Sequence, residues 1–169
     1  DTTHLGHAFT YLSYDALVRY WQYLGYPVRY VQNVTDIDDD TLRKAKEVGD
    51  DWLTLGNRWT RHFIEDMIAL NVRPPDVYPR ATDVIPQMHR AIQVLLDKGL
   101  AYEVNGNVYF HVAADPTFGR LSRLPQSEWL RIANERGNIP DDPNKRDPLD
   151  FVLWQAQKPG EPAWDSPWG

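Results

Sequence analysis

Two histidines three residues apart, with a glycine between them, form the quartet HLGH at positions 4–7, just ahead of a helical pattern. A chain that turns into a helix exposes free backbone N–H groups and the positive end of the helix dipole at one spot. Phosphate binds readily there. Gly6 has no side chain, so a phosphate or a flat ring could approach the backbone closely. His4 and His7 could donate hydrogen bonds to phosphate oxygens as charge builds in a transition state. For the quartet alone, two polar residues simply opening a surface helix is the better reading. A zinc site fits less well, because three or four ligands are required and no nearby Cys or third His supplies them.

A second polar cluster is NVTDIDDD, positions 33–40. Carboxylates just past the C-terminal end of a parallel strand lie where open α/β sheets bind ligands. Thr35 and Asp36, at the strand end, are the better placed for a ligand. Asp36, Asp38, Asp39 and Asp40 suit a metal-bound pyrophosphate, but Asp39 or Asp40 could instead cap the following helix, and capping is favoured for those two. His62, His89 and His111 stand alone in the sequence and are expected on the surface or on helix faces. Arg58, Arg61, Arg120, Arg123, Arg131, Arg136, Lys145 and Arg146 could line a face for a polyanion, although such charges are usually just solvated.

These residues need elements to position them. Phe9, Leu12, Ala16, Leu17, Tyr20, Trp21 and Leu24 keep helical spacing over 8–24, and Gly25 is a plausible stop. YPVRYVQNV (26–34) is rich in β-branched and aromatic residues and predicts a buried strand. Helix followed by strand is the second part of a βαβ unit, whose first strand is expected upstream of Asp1. DIDDDTLRKAKEVG predicts a short helix ending at Gly49, and Trp52 to Leu70 a longer one. After the break NVRPPDVYPRAT, Thr82 is expected to cap a helix running to about Lys98, closed by Gly99. AYEVNGNVYFHV predicts a hairpin, because Asn105-Gly106 tolerates the positive φ angles of a tight turn. SEWLRIANERG suggests a further short helix, and LDFVLWQA a short apolar element.

The bulk numbers set bounds. The 169 residues are 42% hydrophobic, enough for one core or one core plus a lobe. There is no cysteine, which excludes disulfides and thiolate zinc sites within these residues. No apolar run reaches the length of a membrane span. The net charge of −6 argues against a general nucleic-acid coat. A cytoplasmic setting fits this composition.

Together, DTTHLGHAFTYLSYD, YVQNVTDIDDD and RDPLDFVLWQAQKPGEPAWDSPWG resemble the N-terminal catalytic half of a bacterial cysteinyl-tRNA synthetase, over essentially the whole chain and in order. HLGH resembles the first class I synthetase motif. The resemblance implies an α/β fold: a Rossmann-type nucleotide-binding half-domain with an inserted α+β connective lobe. The expected boundaries are 1–72 for the first part of the catalytic domain, 73–146 for the insertion and 147–169 for the return segment. It also implies ATP-dependent activation of cysteine, with Mg2+, to a cysteinyl adenylate and transfer to tRNA(Cys), whose acceptor arm would meet the insertion.

His4 and His7 would then contact the phosphates, Gly6 would make room for adenine, and Thr35 and Asp36 would line the amino-acid pocket. The family is usually monomeric. Its Zn2+ ligands are expected outside residues 1–169, as are its second signature loop and anticodon-binding helices, so the chain is expected to be a truncated piece, inactive alone. Two alternatives stand beside the synthetase. One is the cysteine ligase of mycothiol synthesis, which shares these blocks. The other is a non-catalytic module gripping RNA or protein through the Trp52–Trp129 region.

Overall fold

The computed structural model describes residues 4–169; Asp1, Thr2 and Thr3, which open the first motif, lie outside the described residues. The chain divides into two units, Asp1–Val84 and Ile85–Gly169.

In the first unit, helix α1 runs Leu5–Tyr23, α2 Asp39–Val48 and α3 Trp52–Ala69. Helix α1 begins earlier than the apolar spacing predicts, because His4 itself is the N-cap. At α2, Asp38 rather than Asp39 or Asp40 is the cap: its carboxylate accepts from the Thr41 N–H at 2.6 Å. Asp40 instead pairs with Arg43 at 2.6 Å. Gly49 takes the left-handed conformation (φ 69°) that closes α2. Asp51 caps α3 through the Thr54 N–H at 2.9 Å.

The buried strand expected at 26–34 is not formed as such. The segment is extended, but Val31 is 55% exposed, and its pairing is limited to isolated parallel bridges, Val31 with Val77 and Val34 with Arg80. The physical reason lies in its partner. Pro79 has no N–H to give, so the ladder survives only as separate bonds, Gln32 N–H to Val77 O at 3.1 Å and Val34 N–H to Pro79 O at 2.9 Å. The proline-marked stretch that breaks the helical pattern is therefore the parallel neighbour of 30–34, reached through α2 and α3.

The second unit contains α4 (Ile85–Asp97), β1 (Ala101–Val104), β2 (Asn107–Phe110), α5 (Gln126–Asn134) and β3 (Phe151–Trp154). Thr82 does not cap α4; it opens a 3₁₀ turn, Thr82–Val84, and its hydroxyl is committed to Asp36. The hairpin forms as predicted, with Asn105 at φ 53° and Gly106 at φ 75°. The apolar element at 151–154 is a strand that pairs antiparallel with β2, giving the sheet order β1-β2-β3. Within segment 147–169, β3 joins the hairpin sheet through β2. Ile92, Ala101 and Val108 form the core, packed by Leu95, Leu96, Leu153, Trp154 and Trp168.

Asp150 anchors this sheet. It is fully buried and accepts from the Tyr102 hydroxyl (2.8 Å), the Val112 N–H (2.9 Å) and the Asp147 N–H (3.1 Å), with His111 Nδ1 at 3.3 Å. His111 is therefore a partner of the core rather than a surface residue. His89 packs edge-on against Trp154 and Trp168, at 4.6 and 5.7 Å between ring centroids. His62 lies exposed on α3, 3.9 Å from Glu65.

Candidate active site

The first turn of α1 folds the two histidines onto each other. The Gly6 N–H donates to His4 Nδ1 at 3.1 Å, and the His4 N–H donates to His7 Nδ1 at 3.3 Å. These are two of the donors that every helix start leaves over, so the imidazoles act as reciprocal caps. The rings stack with centroids 4.0 Å apart and planes inclined by 28°. Because each Nδ1 accepts, each neutral ring carries its proton on Nε2. The turn therefore offers Nε2–H donors.

Burial, and then the charge of neighbouring His4, hold the His7 imidazole below its ordinary pKa of 6.5. Both effects disfavour the charged form of the His7 ring. Gly6 is required by the same geometry. A Cβ there would lie 2.9 Å from His4 Cε1 and 3.0 Å from Nδ1. The space a side chain would take is filled by the capping ring.

This turn borders a cleft of about 650 Å³ that lies within the first unit. One wall is His4, His7 and Tyr11 of α1. Segment 32–36 and Tyr78 contribute further lining, together with α2 (Asp38, Asp40, Thr41, Arg43, Lys44, Glu47) and α3 (Leu55, Gly56, Trp59, Thr60, Phe63). His7 and Tyr11, one helical turn apart, both meet Phe63 edge-on, at 6.4 and 5.0 Å. The cleft thus brings together His4, His7, Thr35 and Asp36, which are separate in sequence. Gly6 lies beneath the His4 ring and does not line it.

Thr35 is exposed to the cleft, and its hydroxyl accepts from Asn33 Nδ2 at 3.4 Å. Asp36 is only 3% exposed, and its two carboxylate oxygens are both engaged by Thr82, from the N–H at 3.2 Å and the hydroxyl at 2.6 Å. Its carboxylate is a clasp between segment 33–36 and the chain 46 residues later.

Gly56, Trp59, Phe63, Gln32 and Tyr78 complete the cleft without having been singled out in the sequence. Gly56 carried a signal: a glycine in the interior of a helix marks close backbone approach. A Cβ there would lie 3.2 Å from the Asp36 carbonyl oxygen. Gln32 and Tyr78 carried none, since their pairing depends on the unrecognised parallel bridge.

Among the described residues no three His, Asp or Glu side chains converge as a metal site. Also among the described residues, no helix is long and apolar enough to cross a membrane.

Residues 1–169 match the family described as tRNA synthetases class I (C) catalytic domain. The chain is 49% identical over 169 residues to the L-cysteine:1D-myo-inositol 2-amino-2-deoxy-alpha-D-glucopyranoside ligase of Thermomonospora curvata, covering 100% of this chain and 41% of that protein. It is 48% identical over 165 residues to the ligase of the same name from Catenulispora acidiphila, covering 98% and 39%. It is 46% identical over 170 residues to the cysteine--tRNA ligase of Trichormus variabilis, covering 100% and 35%. The chain thus spans about two fifths of the length of these relatives. With its capped histidine turn beside an α/β cleft and a match along its whole length, this chain belongs to the class I (C) tRNA synthetase catalytic-domain family of ligases.

Proposed function

We propose that the chain supplies the phosphate-facing half of a ligase that activates cysteine with ATP and passes the cysteinyl group to the amine of an amino sugar joined to inositol. The observation that carries the activation step is the reciprocal histidine cap on the rim of the cleft that Thr35 shares. A carboxylate oxygen of cysteine attacks the α-phosphorus of ATP, the bond to the bridging oxygen breaks, and pyrophosphate leaves with the electron pair. The Nε2–H donors of His4 and His7 face phosphate oxygens whose charge grows along that path. His7, neutral beforehand, takes up positive character as the negative charge accumulates. The acceptor amine then attacks the acyl carbon of the mixed anhydride, AMP departs with the C–O electron pair, and the amine loses a proton.

The fold assignment belongs to the same proposal. The parallel bridges joined through α2 and α3 support a Rossmann-type half-domain, and the hairpin sheet of the second unit supports a connective lobe. The amino-sugar acceptor is placed ahead of tRNA(Cys), reversing the order expected from the sequence, because the ligases of Thermomonospora and Catenulispora are the more similar. The Trichormus relative keeps the tRNA ligase as the second reading.

The test uses the full-length protein. Cysteine-dependent exchange of labelled pyrophosphate into ATP is expected, followed by amide formation with glucosaminyl inositol and no acylation of tRNA. Absence of exchange overturns the activation step. Exchange followed by tRNA acylation without the amide transfers the assignment to the synthetase.

A further inference from the structure

A second hydrogen-bonding device reaches the same cleft, through Gln32 and Tyr78. The Tyr30 hydroxyl donates to Gln32 Oε1 at 2.9 Å, and Gln32 Nε2 donates to the Tyr78 hydroxyl at 3.2 Å. The tyrosines lie 46 or more residues apart in sequence and meet only through the parallel bridge at Val31–Val77. The direction of this chain matters. Gln32 has its acceptor occupied by Tyr30 and gives an N–H to Tyr78, so Tyr78 receives through a lone pair and keeps its own hydrogen. That hydrogen is available to the cleft that Tyr78 lines with His7 and Tyr11. Burial first, then the neighbouring phenols Tyr11 and Tyr30, push Tyr78 up to about 12, so the hydroxyl stays protonated under all working conditions. A group of this kind donates one hydrogen bond and carries no charge.

We infer that Tyr78 donates to the carboxylate of the amino acid being activated, and that Gln32 is the positioning residue that turns its hydrogen toward the cleft. This rests on the adenylation reading given above. The complementary chemistry is narrow. With its oxygen already accepting from Gln32, the hydroxyl offers its hydrogen, which suits an acceptor oxygen better than the ammonium group of the same ligand. Tyr78 lines the cleft together with Tyr11 and with His7 of the helix start. A single hydroxyl there would fix one carboxylate oxygen and leave the other for attack.

The experiment measures cysteine-dependent pyrophosphate exchange by the full-length enzyme at varied cysteine and varied ATP. Tyr78→Phe removes only the hydroxyl and is expected to raise the KM for cysteine roughly 10-fold or more, the scale of a lost hydrogen bond to a charged group. The KM for ATP should stay within about twofold of the parent value. Gln32→Glu replaces the N–H by an acceptor, draws the Tyr78 hydrogen back from the cleft, and is expected to raise the cysteine KM as Tyr78→Phe does. The double variant should be no worse than either single one, because both remove the same bond. A shift in ATP KM instead of cysteine KM, or additive losses in the double variant, overturns the inference. So does an unchanged cysteine KM in Tyr78→Phe, while leaving the adenylation reading standing. A parent enzyme without exchange removes both.

Discussion

Replacing Gly6 by alanine separates what this residue does for the helix from what it does for the histidines. The new methyl would lie 2.9 Å from His4 Cε1 and 3.0 Å from Nδ1, closer than nonbonded atoms tolerate. The backbone cannot yield cheaply in the first turn, so the imidazole swings out. It then loses the bond from the Gly6 N–H and its stack on His7. Loss of a cap costs about 0.5–2 kcal/mol, and the lower end applies because the ring is exposed. Alanine in place of glycine within a helix returns about 0.8–1.0 kcal/mol.

The two nearly cancel, so the unfolding midpoint should move by only a few degrees. Catalysis has no such compensation. On the proposed reading one oriented donor leaves the phosphate path, and pyrophosphate exchange should fall about 100-fold. Thermal unfolding and exchange, measured on the same full-length preparation, check both halves. Exchange within about threefold of the parent would refute the account, as would a collapse of stability.

Three further outcomes follow. His4→Ala in the full-length enzyme should slow exchange by roughly 100-fold or more, and NMR should show the His7 titration moving up toward its ordinary value as a neighbouring charge is lost. Asp36→Ala should cost about 3 kcal/mol in urea unfolding, because it strands the Thr82 N–H and hydroxyl, with Asp36→Asn recovering part of the loss. For Asp150, burial opposes the charge, but the bonds from Tyr102, Val112, His111 and Asp147 together outweigh it and hold the carboxyl below its usual value. Its folded pKa is depressed, so its stabilisation is present above the unfolded carboxylate value near 3.9 and is lost as pH falls through the folded one. Asp150→Asn should flatten that acid limb in a pH series of unfolding midpoints.

The helices and the hairpin were legible because their signals are local. Asn105-Gly106 names its own turn, and Gly49 closes its own helix. Segment 26–34 was read as a buried strand because β-branched and aromatic residues imply burial. Its actual neighbour is interrupted by Pro74, Pro75 and Pro79, residues that read as a break. The roles expected of His4 and His7 had a geometric basis in the sequence, but the reciprocal capping did not. Imidazole is not among the usual capping groups, and only the bonds accepted by the two Nδ1 atoms make it one. Asp36 was singled out as lining a pocket; that its carboxylate turns to Thr82 is a long-range fact no window of sequence contains.

The stacked imidazoles have a consequence for selectivity in a crowded solution. Since a positive ring at position 4 discourages one at position 7, the helix start is not a standing cationic patch. On the proposed reading the turn meets its ligand with hydrogen-bond donors more than with fixed charge. Such a turn would favour a phosphate whose charge rises while it is held, and discrimination would then be a matter of timing as well as fit.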